Sequence, residues 1–192
     1  MPRVVICGVP RTPIGKFRGS LSNLSAVQLG IRAVKELLNR CNIDASSGII
    51  DEVLFGQVLQ AGAGQAPARQ VALGAGLPNS TAATTINKVC GSSLKAAMMA
   101  ANSIKAGEYK AIIAGGMESM TNAPKFEKRN GEEKEMVSTM VHDGLWDVYN
   151  DVHMGNTGEI VAKECNISRE KMDAFAARSQ NKAAEAEANG WF

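Results

Sequence analysis

The chain has 192 residues, of which 45% are hydrophobic and 21% charged, with a formal net charge of +2. That length suits one domain, or one domain with an appendage, and leaves room for a sizeable core. The near-neutral charge, without a sustained basic run, excludes the electrostatic footprint of a nucleic-acid binder, and no apolar stretch is long enough to cross a bilayer. The chain enters Val4-Val5-Ile6 almost at once, with no basic leader, and reads as the mature start of a cytoplasmic protein. Its cysteines, Cys7, Cys41, Cys90 and Cys165, lie far apart. No CxxC or Cys/His spacing points to a metal or a disulfide framework. Buried, reduced thiols are the ordinary expectation for three of them, and Cys90 is the exception.

In chain order, the apolar run Val4–Val9 has the character of a strand, and Arg11–Asn23 that of a polar, glycine-bearing loop. Ser25 and Gln28 form a capping-box pattern, and Val27, Ile31, Val34 and Leu38 follow at helical spacing, so Ser25–Arg40 is an amphipathic helix. Glu52–Val58 is the next strand. Pro67 opens a helix that Gly74, Gly76 and Pro78 end. The β-branched stretch Thr81–Val89 predicts a third strand, and a helix from about Gly91 to Ala106 is closed by Gly107. Ala111–Ala114 is a short apolar strand running into Gly115-Gly116. Strands alternating with helices predict an α/β fold, a mostly parallel sheet covered on both faces. After Thr121 the character changes, so residues 1–120 are assigned to the α/β domain and 121–192 to an insertion. Lys125–Glu135 has no usable periodicity and reads as a solvated excursion. Helical pieces are expected around Thr157–Cys165 and from Ser168 onward, the second with Met172, Phe175 and Ala176 facing inward.

The segment that carries chemistry is Asn87-Lys88-Val89-Cys90-Gly91-Ser92-Ser93. It sets a cysteine at a strand-to-helix junction, where the unpaired N–H groups of a first helical turn and the positive dipole end favour an anion. Such a place favours the thiolate, which is the nucleophilic form. Gly91 and the two serines leave room for a substrate, and the same turn can aim a backbone N–H at a developing oxyanion.

These residues resemble the nucleophile motif of the thiolase family, and other segments match in order. Arg11–Phe17 resembles the family's N-terminal signature, Gln65–Gln70 the segment placed near its dimer interface, and Gly115–Met120 its glycine-rich strand end. His153-Met154-Gly155 resembles the loop that lines the acyl-CoA pocket in the acetoacetyl-CoA, or biosynthetic, branch. The resemblance implies a two-step acyl transfer. Cys90 accepts an acyl group from acetyl-CoA, and a second acetyl-CoA then attacks it to give acetoacetyl-CoA. Coenzyme A is part of the substrate, with no cofactor and no metal. His153 and Met154 shape the substrate pocket, and the working form is a homo-oligomer, a dimer or tetramer.

Other residues read as structural. His142 is taken as a loop histidine, Glu118 as a strand-end carboxylate, Lys88 and Lys95 as solvated charge, and Met98-Met99 as core packing. The family's activating histidine and second cysteine come from a C-terminal half whose motifs have no counterpart in this chain. An N-terminal fragment, inactive in condensation by itself, is therefore expected. A long-chain 3-ketoacyl-CoA thiolase and a non-catalytic half-thiolase subunit are the alternatives. A β-ketoacyl synthase would carry a different nucleophile context.

Overall fold

The structure, a computed structural model, describes residues 3–130 and 133–191. They fall into two compact units, Met1–Gly144 and Leu145–Phe192. The first unit opens with α1 (Ala26–Arg40), where both halves of the capping box form: the Ser25 hydroxyl accepts from the Gln28 N–H, and the Gln28 side chain accepts from the Ser25 N–H. There follow β1 (Glu52–Gly56), α2 (Pro67–Gly74), β2 (Ala82–Ile86), α3 (Ser92–Ala106) and β3 (Ile112–Gly116). The three strands form one parallel sheet in the order β2-β1-β3.

The alternation of side chains along β1 distributes the core. Val53 and Phe55 pack with α1 and α2 on one face, in a cluster that includes Val34, Leu38, Ala68, Val71 and Ile113. Leu54 turns to the other face and packs with Ala96 and Ala100 of α3. Both faces are therefore covered, as a parallel sheet requires. Of the expected methionine pair on α3, Met99 packs against the second cluster, but Met98 is 52% exposed. Gly107, at a φ of +81°, closes α3 in the left-handed conformation that glycine adopts without penalty.

Other expectations are corrected. Val4–Val9 is not a strand, and Ile6 and Val9 are more than four-fifths exposed. An apolar run becomes a strand only by hydrogen-bonding to a neighbour, and none lies beside it among the described residues. The supposed excursion at Lys125–Glu135 is an antiparallel hairpin of β4 (Lys125–Asn130) and β5 (Glu133–Ser138), with Gly131 outside the described residues. Charges on both faces hide its alternation from the sequence, yet Phe126 pairs with Val137 and Lys128 with Glu135. The cysteines other than Cys90 are not buried: Cys7 and Cys165 are exposed and Cys41 is half-buried.

A π-helical turn, Met140–Leu145, precedes the second unit's elements, the short hairpin β6 (Trp146–Asp147) and β7 (Val152–His153), then α4 (Met154–Glu164) and α5 (Arg169–Ala188). Ser168 caps α5 as expected. Its expected inner face is not buried, since Met172 is half-buried while Phe175 and Ala176 are exposed.

Asp51 fastens the start of β3 to β1. Its carboxylate accepts from the Ala111 N–H (2.9 Å) and the Lys110 N–H (2.7 Å). The bond from Ala111, then that from Lys110, holds this carboxyl below the usual carboxylate range. A depressed folded-state value stabilises the fold above the unfolded value and loses that stabilisation as the pH falls through the folded one. Urea denaturation followed from about pH 5 down to about pH 2 should show stability falling with pH, and Asp51→Asn should remove part of that slope. An unchanged slope would contradict the role given to Asp51.

Candidate active site

The candidate nucleophile is set by a turn whose hydrogen bonds join five residues around it. After β2, the Asn87 side-chain oxygen accepts from the Val89 N–H at 3.0 Å. Ser92 closes the turn from the other side, its hydroxyl accepting from the Lys88 N–H (2.8 Å) and donating to the Val89 carbonyl (2.6 Å). The Gly91 N–H reaches the Lys88 carbonyl, and the Ser92 N–H the Val89 carbonyl, at 3.0 and 3.1 Å. These bonds hold Val89 at a φ of +45°. A β-branched residue in that region is a genuine outlier, and such conformations cost about 1–3 kcal/mol each. Cys90 follows Val89 and is exposed.

α3 begins two residues later. Its N-cap, Gly91, offers no side chain, and no side-chain cap bond is made. Apart from the Ser92 N–H, which the turn itself uses, the first-turn N–H groups have no side-chain cap beside the sulfur's place in the chain. The sequence expectation for the serines is half right. Ser93 is exposed, but Ser92 is 4% exposed and belongs to the turn's closure rather than to a substrate channel.

The helix rests on the ends of two strands. A methyl group on Gly56 of β1 would lie 2.6 Å from the Ser92 Cβ and 2.8 Å from the Ser93 nitrogen. One on Gly116 of β3 would overlap the Ser93 hydroxyl and lie 2.9 Å from the Gly56 carbonyl. Beyond these glycines, Glu118 is a structural carboxylate as expected, with Oε2 accepting from the Val58 and Leu59 N–H groups at 2.9 and 3.1 Å. Its Oε1, like Gln57 Oε1, is enclosed without a hydrogen-bond partner among the described residues. A groove of about 620 Å³ runs along β3, between the Gly8–Phe17 segment and the α1 face; Glu118 lines it, whereas Cys90 does not.

Of the other predicted residues, His153 and Met154 lie in the second unit, apart in the chain from Cys90. His153 caps α4, its Nδ1 accepting from the Gly155 N–H at 3.0 Å, and its ring meets Trp146 edge-on. Met154 is 39% exposed. His142 bonds Asp143 at 2.6 Å and meets the Phe126 ring edge-on; it is exposed, but it lies in the π-helical turn and not in a loop. Lys88 is exposed, as solvated charge should be, and Lys95 is half-buried. Among the described residues no group of His, Cys, Asp and Glu is arranged to hold a metal ion. Nothing in the sequence singles out Val89, Gly56 or Gly116 by role, and Asn87 and Ser92 are marked only by their place in the motif around Cys90. The one available signal is Asn-x-Val followed by Cys-Gly-Ser, polar residues spaced to close a turn on either side of the cysteine.

Gly56→Ala should test the seat directly. The added methyl meets helix backbone, which cannot swing aside, so a loss of about 2–3 kcal/mol is expected on urea denaturation, with slower alkylation of Cys90. A variant as stable as the parent would show that the first turn of α3 does not rest on β1.

The family model for the thiolase N-terminal domain matches residues 4–192. Acetyl-CoA acetyltransferase 2 of Arabidopsis thaliana is 50% identical over 194 residues, covering 98% of this chain and 48% of that protein. The probable acetyl-CoA acetyltransferase of Escherichia coli (strain K12) is 52% identical over 188 residues, covering 95% of this chain and 47% of its own length. The crystal structure of Acat5 thiolase from Ascaris suum in complex with coenzyme A aligns with a TM-score of 0.88 at 39% identity, over 94% of this chain and 48% of that one. The chain spans about half the length of the curated relatives it matches. By the matched domain and by its fold, this chain belongs to the thiolase family.

Proposed function

We propose that Cys90 is the nucleophile of an acyl transfer between coenzyme A thioesters. In the intact protein that transfer condenses two molecules of acetyl-CoA to acetoacetyl-CoA and free coenzyme A, or runs in reverse. The observation that carries this reading is the turn itself: an exposed cysteine after a strained valine, at the uncapped N-terminus of α3. The substrates follow from the relatives, which are named acetyl-CoA acetyltransferases, and from a similar structure that holds coenzyme A.

In the first step the Cys90 thiolate attacks the thioester carbonyl carbon. A new C–S bond forms, the bond to coenzyme A breaks, and the departing thiolate takes up a proton. In the second, the enolate left when a base removes the α-proton of another acetyl-CoA attacks the acyl carbon. A C–C bond forms and the Cys90 thiolate is released. One thioester is exchanged for another, so the covalent intermediate costs little free energy. The Cys90 backbone N–H serves the oxyanion in both steps. The family resemblance assigns His153 and Met154 to binding the acyl and pantetheine groups. The family's pattern supports supply of the activating histidine and the α-proton base by segments beyond this chain. The same reading makes the working protein a cytoplasmic homo-oligomer that needs no cofactor other than its substrate's coenzyme A.

Acyl transfer to the thiol requires only the first step. Mixing the folded chain with acetyl-CoA should add one acetyl group, mapped to Cys90 by peptide mass spectrometry and absent from Cys90→Ser. A folded sample that gains no acetyl group would contradict acyl uptake by this chain alone.

A further inference from the structure

Three strand ends meet at the Cys90 turn, and one side chain ties two of them together. The Met117 N–H, just past β3, donates to the Gly56 carbonyl at the end of β1 (2.9 Å). The Gln57 N–H donates to the carbonyl of Ile86, the last residue of β2, at 3.0 Å. Asn87, which opens the turn, comes next. Gln57 is 2% exposed, and its side-chain amide donates to the Leu59 carbonyl at 3.1 Å, so the loop after β1 is folded onto itself. Glu118 reaches into that loop from β3, taking both the Val58 and the Leu59 N–H on one oxygen.

We infer that Glu118 is a positioning residue for the Cys90 turn, an inference that rests on the reading of Cys90 as the nucleophile. Its carboxylate clamps the extensions of β1 and β3, the two strands whose glycines seat Ser92 and Ser93. Through Gln57 and Ile86 the clamp also fixes where Asn87 starts the turn. Charge at this position is not what the role needs. Two bonds to one acceptor oxygen are, and a glutamine can make them. Cys90 is already exposed, so loosening the clamp adds no access to the sulfur. It loosens only the seat of the turn that leads into α3.

The test uses the whole chain and three substitutions. Amide hydrogen exchange reports on Val58 and Leu59, and alkylation by iodoacetamide, followed by peptide mapping, gives the rate at Cys90 relative to exposed Cys165. Glu118→Ala should speed exchange at both amides and lower the Cys90/Cys165 ratio about fivefold, the size of a partly lost helix-terminus interaction. Glu118→Gln should restore most of the ratio. If the alanine variant does not fold, Glu118→Asp, one methylene short of both amides, should give an intermediate ratio. Faster exchange with an unchanged ratio in the folded variants would overturn the positioning role and leave Glu118 a loop fastener only. A parent ratio near one would overturn the reading of Cys90 itself, and this inference with it, whatever the amides do.

Discussion

The organisation of the first unit depends on how closely the first turn of α3 approaches the ends of β1 and β3. Gly56 and Gly116 leave no space for a Cβ between strand and helix. Any larger side chain at either place would lift Ser92 and Ser93 off the sheet. Ser92 is also the residue that closes the Lys88–Val89 turn with its hydroxyl. Sheet, helix start and cysteine turn are thus one mechanical piece. The strain at Val89 is tolerable because Asn87 and Ser92 hold the turn from both sides, and strain held in this way gathers at functional sites.

Much of this architecture is legible in the sequence because local signals agree with the global fold. The Ser25/Gln28 box, Pro67 at a helix start and Gly107 at a helix end act within a few residues, so each can be read without knowing the tertiary structure. The alternation of strands and helices then implies the covered parallel sheet. Cys90 is legible as a junction cysteine for the same reason.

What escapes the sequence depends on partners distant in the chain or on conformation without a compositional mark. Val4–Val9 has the composition of a strand but no neighbour to pair with among the described residues. The β4–β5 hairpin carries charge on both faces, and so shows no alternation. Val89 belongs to a residue type that argues against positive φ, yet Asn87 and Ser92 impose it. Gly56 and Gly116 read as ordinary strand-end glycines until the helix is seen resting on them. The close approaches that matter most here join residues tens of positions apart.

The central claim is that the fold, and not mere exposure, makes Cys90 the reactive thiol. Cys7 and Cys165 are exposed as well and provide internal controls. Labelling the native chain with less than one equivalent of a soft electrophile, then mapping the adduct, measures the claim directly. The account predicts that Cys90 takes the label ahead of both controls, and that the preference disappears in urea. An even distribution among the three in the native chain would contradict it.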